Sequence, residues 1–475
     1  MKHPPTSMRL LTLTLAAGLA GCAGVPVADD LRVAGDATER HFQARPVWLD
    51  TEAARHEAQA EVDRRLAGPL GADDAVRIAL AYSPAMQAVL SDGVAASAAA
   101  TQAARLPNPV FAFERLVRRH HGETELEIGR LLSVSVLDLL LWPARAQAAR
   151  AQQQQARLQL ASEVARVAVE ARQAWVRAVA AEQALRYFGQ VKEAADTAAE
   201  LARRMQAVGN FSKLQRAREQ AFYADAVAQL ARAQQQARAS REALVRVLGL
   251  DDAQARALQL PERLPDLPAQ PLDEAGVAAG WTQRLDLQLA QAELDRSARV
   301  AGLAPVTSVA QGLHLGIARH SESGEPPQKG FELEVPVPLF DLGDARRTEA
   351  RARHLAAHQR MTALSVQARS ELREQHAAYR TAWQLARHYR DEIVPLRKAI
   401  SDENLLRYNG MFIGVFELLA DARSQIGSVV QAIDAQRDFW LADAAFRAAQ
   451  IGRPVNGSAL GAPVAETGSP AGGGH

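Results

Sequence analysis

The sequence has few of the features on which enzymes depend. Its 475 residues include one cysteine, no CxxC pair, no phosphate-binding P-loop and no GxSxG motif. No motif in the sequence combines a nucleophile, a base and a residue that would orient the base. An enzyme is therefore the least expected class of protein. Aromatic residues make up only 5% of the chain, although 48% of its residues are hydrophobic. Alanine, glutamine, arginine and leucine dominate instead, which is typical of long helices and coiled coils.

Net charge and long apolar runs are also lacking. The 55 basic residues balance 54 acidic ones, so the electrostatic footprint of a nucleic-acid-binding protein is missing and no nucleic acid is expected as a partner. No stretch reaches the roughly 20 apolar residues that a transmembrane helix needs. Contact with the core of a membrane therefore has to come from strands or from an amphipathic surface.

The N-terminus has the pattern of a lipoprotein signal peptide. Basic residues precede a short apolar run at 10–20, which ends in the sequence LAGC at Cys22 and resembles a bacterial lipobox. We expect residues 1–21 to be removed and Cys22 to carry a covalent lipid, with no other cofactor. An ordinary signal peptide with an incidental cysteine is the alternative. Ala23 follows, where aspartate would favour inner-membrane retention, so an outer-membrane lipoprotein is implied, with residues 22–71 as an extended anchor segment.

Sequence landmarks recur at one offset. Similar segments begin at residues 75 and 276, which are 201 positions apart, and the same offset relates two further pairs: Val134 with Val335, and Gly209 with Gly410. A period of about 200 residues is far longer than the 20 to 50 residues of solenoid repeats. Each half is therefore expected to be one large supersecondary unit, the first at 72–250 and the second at 273–451, joined by a linker at 251–272.

Each half is predicted to contain one long helix and two shorter ones. Apolar residues recur at three- and four-residue spacing after Pro143, which suits a first helical turn. A helix over 144–208 would span roughly 98 Å, which no compact domain does. Pro395 should bend the corresponding helix of the second half. The predicted helices are 73–105, 144–208 and 213–249 in the first half, and 273–303, 345–408 and 415–451 in the second.

Each half also contains a predicted β-hairpin, within 107–137 and 310–340. Residues 126–136 alternate between apolar and polar side chains, broken only by Arg130 on the apolar face, and residues 331–338 alternate in the same way. Strands of about ten residues are long enough to cross an outer membrane. Four strands cannot close a barrel, and an open edge cannot stand in lipid, so several copies would be needed. Hairpins buried in a soluble α+β core are the alternative.

The order short helix, hairpin, long helix, glycine-bearing turn and medium helix, present twice, resembles the outer-membrane efflux protein family typified by TolC, over residues 72–451. The turn motif of that family is Arg-Tyr-x-x-Gly-x-x-Ser-x-x-Asp followed by an apolar pair. The resemblance implies a mainly α fold of long antiparallel helical hairpins that form an α-barrel, with an internal two-fold repeat. It also implies that four β-strands per chain contribute to a trimeric, twelve-stranded outer-membrane β-barrel. The matching residues are Arg407-Tyr408 and Glu417-Leu418-Leu419 in the second half, and Gly209, Ser212 and Leu214 in the first.

The resemblance also implies function and partners. A homotrimer in outer-membrane lipid, with a periplasmic helical tunnel, would be the exit duct of a tripartite efflux pump. Its partners would be a periplasmic adaptor (membrane fusion) protein and an inner-membrane pump, and its substrates drugs or heavy metals. The outer component of a type I protein-secretion system shares this architecture. A lipid-anchored periplasmic coiled-coil scaffold without a pore is the alternative from another class.

In this family the turns at the periplasmic end form a constriction and dock the adaptor. Apolar Phe211, Met411, Phe412 and Ile413 would form an exposed docking patch, although packing against neighbouring hairpins explains them equally well. Because the first half has glutamine where the second has Glu417, this residue alone could supply a three-fold ring of carboxylates. The candidate site residues are Gly209, Asn210, Phe211, Ser212, Gln215, Asn409, Gly410, Met411, Phe412, Gly414 and Glu417.

The remaining predictions concern metal binding by histidines and the structure of the C-terminal tail. His354 and His358 have the spacing of a zinc-binding helix, but a leucine stands where HExxH needs its glutamate, so an ordinary surface pair is expected. His120 and His121 lie in a predicted extracellular turn, where two adjacent side chains seldom make a full metal site. No metal is assigned. The tail at 452–475, rich in glycine, proline and alanine, is expected to be disordered.

Overall fold

The computed structural model describes residues 27–120, 123–272, 281–307, 313–323, 325–335, 337 and 339–453. The predicted signal peptide, Cys22, His121 and the predicted tail after Arg453 lie outside these residues. The chain forms two compact units. Of the described residues, those within 27–33, 91–160 and 289–361 form the first unit, and those within 34–90, 161–288 and 362–453 form the second.

Long helices and one four-stranded sheet make up the fold, which confirms the predicted mainly α class with a small β part. The order of elements after residue 72 is helix, hairpin, long helix, turn and helix, and this order occurs twice. The helices are α1 (Val27–Phe42), α2 (Glu52–Leu66), α3 (Ala72–Ala81), α4 (Pro84–Ala103), α5 (Val136–Ala207), α6 (Lys213–Leu248), α7 (Asp252–Ala257), α8 (Leu285–Thr307), α9 (Asp344–His388), α10 (Val394–Asn409) and α11 (Val415–Ile451). The strands are β1 (Val110–His120), β2 (Glu123–Ser135), β3 (His314–Glu322) and β4 (Gln328–Glu334).

The N-terminal segment 22–71 differs from the expectation of an extended anchor, because it contains α1 and α2. In both helices the charges suit the helix dipole, with acids in the first turn and bases in the last. The side chain of Thr51 caps the start of α2 by accepting a hydrogen bond from the Ala54 N–H at 3.2 Å. These end signals explain why α2 is helical. Helix α1 has, in addition, a buried face at helical spacing that includes Ala34, Ala37 and Phe42.

Proline affects three of the predicted helices, and two of these predictions were wrong. The helix predicted at 73–105 is broken into α3 and α4, since the residue before Pro84 is disfavoured in the α conformation. Helix α5 begins at Val136, so Pro143 lies inside it and not in its first turn. The expected interruption at Pro395 is present: a π-helical segment, Tyr389–Ile393, precedes the proline, and its wider turn accommodates the missing donor and the ring of the proline.

The first unit contains the sheet, in which the strands are antiparallel in the order β1-β2-β3-β4. Strands β1 and β4 are therefore its edges. One face, called the apolar face below, has rows of exposed apolar side chains together with some cations. One such row consists of Phe111, Leu132, Ile317 and Phe331, which lie directly opposite one another across all four strands. Among the described helices, none combines the length and the apolar character that a membrane span requires.

The second unit is held together by aromatic residues and by buried polar links. Phe439 and Phe446 of α11 pack against Tyr379 of α9, with ring centroids 5.5 Å apart in each pair. The indole N–H of Trp175 in α5 donates to the Leu70 carbonyl at 2.7 Å. These contacts position the helices whose far ends carry the candidate site.

Helix α6 ends where two segments approach closely, and glycine is required there. Gly249 has φ +72°, and a Cβ at this position would lie 2.3 Å from Cδ of Pro84. We expect Gly249→Ala to lower the free energy of unfolding by about 2–4 kcal/mol, because it adds a steric clash to a strained backbone. The measurement is chemical unfolding of the purified protein.

Gly189→Ala is the matched control. Gly189 lies inside α5, and a Cβ there would meet nothing within 4 Å. This substitution should raise the free energy of unfolding by about 0.5–1 kcal/mol, since alanine is the better helix former. Equal effects of the two substitutions would contradict the close approach at Gly249.

Candidate functional site

The candidate residues lie at two turns in the second unit, one at the end of each helical hairpin. The first tip (residues 208–215) joins α5 to α6, and the second tip (residues 410–417) joins α10 to α11. Asn210 lies in the first turn, and Asn409 is the last residue of α10; both are exposed. The two tips are built from similar backbone hydrogen bonds but from different residues.

In the first tip, α5 ends in a Schellman motif. The Asn210 N–H donates to the Met205 carbonyl at 2.9 Å, and the Gly209 N–H donates to the Gln206 carbonyl at 3.1 Å. This pattern places one residue in the left-handed region. Gly209 occupies that position with φ +83°, which costs glycine nothing in steric terms.

Helix α6 then begins with a capping box. The Ser212 hydroxyl accepts from the Gln215 N–H at 3.2 Å, and the Gln215 side chain accepts from the Ser212 N–H at 2.6 Å. Such a cap typically stabilises a helix by about 1 kcal/mol. Phe211 is only 6% exposed. The expectation that Phe211 is exposed was therefore wrong, because the turn folds this ring into the chain.

In the second tip, α10 ends in the same Schellman motif, but its residues are less suited to the left-handed backbone that the motif requires. The Phe412 N–H donates to the Arg407 carbonyl at 2.9 Å, and the Met411 N–H donates to the Tyr408 carbonyl at 3.0 Å. The left-handed residue is Met411, with φ +62°. A residue with a Cβ in this conformation costs roughly 1 kcal/mol relative to glycine. The second tip therefore contains backbone strain that the first tip lacks.

This geometry corrects the alignment of the two tips. The sequence pairs Gly209 with Gly410, whereas the hydrogen bonds pair Gly209 with Met411. Gly410 has φ −78°, which any residue adopts. Its lack of a side chain instead makes room for a ring, since a Cβ at Gly410 would lie 2.8 Å from Cδ2 of Phe412. Gly414, at the start of α11, has no side chain with which to cap the helix.

Both tips present apolar side chains to solvent. Met411 is 92% exposed and Phe412 is 84% exposed, while Ile413 is half-buried. Val208 and Leu214 of the first tip are also largely exposed. These two were missed as exposed candidates, although the position of Val208 beside the turn glycine and of Leu214 in the first turn of α6 could have identified them.

The two tips also differ in charge. Glu417 is exposed in the first turn of α11. Its N–H donates to the Gly414 carbonyl at 3.1 Å, but within the described part of the chain its carboxylate has no hydrogen-bond or ion-pair partner. Gln215 holds the same helical position in the first tip but is engaged in the capping box. Near the end of α5, hydrogen bonds from Arg203 and Arg204 hold the pKa of Glu200 at about 2. The second tip is thus the one with an unengaged carboxylate.

A buried ion pair links the two hairpins behind the tips. The Arg423 Nη2 of α11 lies 2.7 Å from Oε2 of Glu219 in α6, and the carboxylate is almost fully buried. The guanidinium also lies over the ring of Phe222, 4.3 Å from its centroid. A buried charge needs such a partner. Sequence reasoning missed this pair, because residues so distant in sequence give no local signal.

The two histidines with zinc-helix spacing lie on α9. His354 Nδ1 lies 3.1 Å from the hydroxyl of Ser297, and His358 is exposed one helical turn away. Among the described residues, no group of three or more His, Cys, Asp or Glu side chains is placed to hold a metal ion.

Solved outer-membrane channels have the same fold, although their sequences are only 14–16% identical to this one. The CmeC outer membrane channel of Campylobacter jejuni aligns with a TM-score of 0.67 over 82% of this chain and 87% of that chain, at 14% identity. The outer membrane protein VceC of Vibrio cholerae aligns with a TM-score of 0.61 over 84% of this chain and 98% of that chain, at 15% identity. The open state of the Neisseria gonorrhoeae MtrE outer membrane channel gives a TM-score of 0.58 over 84% and 89%, at 16% identity.

No protein-family model and no curated protein matches this sequence with significance. The architecture alone therefore connects the chain to known proteins, through an alignment that covers most of both chains. The chain has the fold of outer-membrane channels, as its resemblance to the outer-membrane efflux proteins predicted.

Proposed function

We propose that this chain is the outer-membrane channel of a tripartite efflux pump, a passive exit duct rather than an enzyme. One observation carries the proposal: a channel fold whose sheet has one exposed apolar face and two unpaired edges. Such a sheet is not complete in one chain. An inner-membrane pump supplies energy and selects the substrate, and a periplasmic adaptor connects that pump to this duct.

The unpaired edges support a homotrimer. Strand β4 of one copy pairs with β1 of the next, and three copies close a ring of twelve strands in which no edge meets lipid. The apolar face of each sheet then faces the membrane. The helical hairpins form a periplasmic tunnel, and a lipid on Cys22 adds a membrane anchor.

The opposite face of the sheet has the character of a channel lining. Its side chains include many carboxylates, whereas the apolar face has none in the described strands. Rings of carboxylates favour cations in pores. The glutamates of this face are Glu114, Glu125, Glu127, Glu322, Glu332 and Glu334.

The two tips have different roles at the periplasmic end. The first tip is capped and unstrained, so it provides a fixed frame. The second tip offers exposed Met411 and Phe412 to the adaptor, and Glu417 to the lumen. Adaptor binding stabilises a dilated packing of the hairpins over a closed one.

The assembly is tested by native mass spectrometry of protein extracted from outer membranes, followed by recording in planar lipid bilayers. We expect a trimer of lipid-bearing chains that conducts and prefers cations. Cys22→Ser is the control: it should lose the mass of the lipid but remain a conducting trimer, because the sheets and not the anchor make the pore. A monomer without conductance would favour the coiled-coil scaffold instead.

The role of the second tip is tested by two substitutions at one position. Met411→Gly and Met411→Ala both remove the exposed side chain, but only glycine relieves the left-handed backbone. We expect Met411→Gly to be more stable than Met411→Ala by about 1 kcal/mol, measured by chemical unfolding. Both variants should lose most of the crosslinking to the periplasmic adaptor, measured from a photoreactive residue at Phe412.

A photoreactive residue at Val366 is the matched control. Val366 is an exposed apolar residue on α9, away from both tips, and should not crosslink to the adaptor. If Met411 merely packs against neighbouring hairpins, both substitutions would weaken the trimer and leave adaptor crosslinking unchanged.

A further inference from the structure

We propose that a row of cations on the apolar face of the sheet binds the phosphate groups of lipid headgroups at the outer surface of the membrane. This inference rests on the proposed function, since it requires the sheet to lie in a membrane with its apolar face outward. The row consists of Arg130 in β2, Arg319 in β3 and Lys329 in β4. We call these three residues the cation row.

The strand register places the cation row on one face. Arg130 is directly opposite Arg319, and Arg319 is directly opposite Lys329. Side chains directly opposite in antiparallel strands point to the same side of the sheet. Arg130, the only break in the alternation of its strand, is therefore part of a line that crosses three strands.

Charges of opposite sign are unevenly divided between the two faces. Two further cations, Arg115 and Arg119 of β1, are on the face of the cation row, which has no carboxylate in the described strands. The glutamates of these strands are all on the other face, together with a single arginine, Arg118. Within the described part of the chain, none of these cations forms an ion pair. Like charges directly opposite one another destabilise a sheet. The chain itself does not neutralise the row, so an anion from outside would.

The cation row also marks the end of an apolar band in β3 and β4. On the side of the long helices, the next two rows are wholly apolar. On the other side, the next residue of this face in β3 is Ser321, and β4 has no further residue of this face, whereas β1 and β2 still have Val117, Leu126 and Ile128. The apolar surface therefore begins to give way at the row, as an outward surface does where hydrocarbon meets headgroups. The apolar rows are Phe111, Leu132, Ile317 and Phe331, and Val134, Leu315 and Leu333.

Phosphate is the anion that fits this position. Guanidinium groups bind phosphate oxygens in a planar, two-pronged manner, and lysine adds a point charge. Strands lie about 4.7–4.9 Å apart, so the row spans roughly 10 Å, enough for neighbouring phosphates of one bilayer leaflet. The long stems of these side chains can lie along the apolar band while their charged ends reach the headgroups.

The test uses the full-length trimer and lipid A as the probe, either with both phosphates or after their enzymatic removal. Binding is measured by native mass spectrometry in detergent. We expect wild-type protein to bind the phosphorylated lipid at least about tenfold more tightly. In the triple variant Arg130→Gln, Arg319→Gln and Lys329→Gln, this preference should disappear, with binding of the dephosphorylated lipid unchanged.

The control removes the same charge elsewhere. Arg218→Gln, Arg238→Gln and Arg373→Gln change three exposed residues of α6 and α9, and the preference should remain. A second variant, Arg130→Lys with Arg319→Lys, keeps the charge and should retain most of the preference. This second variant keeps the proposal testable if the triple variant fails to fold.

Three outcomes would overturn the proposal. One is equal binding of the two lipids by wild-type protein. Another is loss of the preference in the control triple variant. The third is full displacement of the lipid by excess inorganic phosphate, which would indicate a site for a free anion. A conducting trimer that binds both forms of the lipid equally would refute this inference alone. Failure to form a conducting trimer would refute the proposed function as well.

Discussion

The hydrogen-bonding requirement of the sheet edges is the constraint on which the proposed assembly depends. Strands β1 and β4 each have one side without a partner strand, and the apolar face beside them is exposed. The exposed apolar face is unfavourable in water, and open edges, which water could satisfy, cannot stand in lipid. Pairing of like chains resolves both at once, because it removes the edges and turns every apolar face to the same side.

The tips of the two helical hairpins adopt the same backbone hydrogen bonding although their residues differ. Both tips end a helix with the same pair of hydrogen bonds, but only the first uses glycine in the left-handed position. The second has a methionine there and lacks a side-chain cap. Strain that persists in this way is often found where a segment has to bind or move. The asymmetry therefore agrees with a fixed first hairpin and an adaptable second one.

Much of the helical framework could be predicted because its signals are local. Helix α11 has the predicted limits, 415–451, since Gly414 and Gly452 bound a continuous helical pattern. The left-handed position of Met411 could not be predicted, because it depends on which carbonyl accepts each hydrogen bond. The burial of Phe211 could not be predicted either, since it depends on tertiary packing. The predicted lipid on Cys22 lies outside the described residues and stays a prediction.

Arg130 illustrates why register matters more than composition for the membrane-facing surface. In the sequence it is a single exception to an alternating pattern and has no evident purpose. Only the pairing of β2 with β3 and of β3 with β4 places it beside Arg319 and Lys329. A one-residue slip in that register would move these charges to the glutamate face, where they would be neutralised. The observed register instead leaves them uncompensated at the border of an apolar band, which is where a membrane supplies anions.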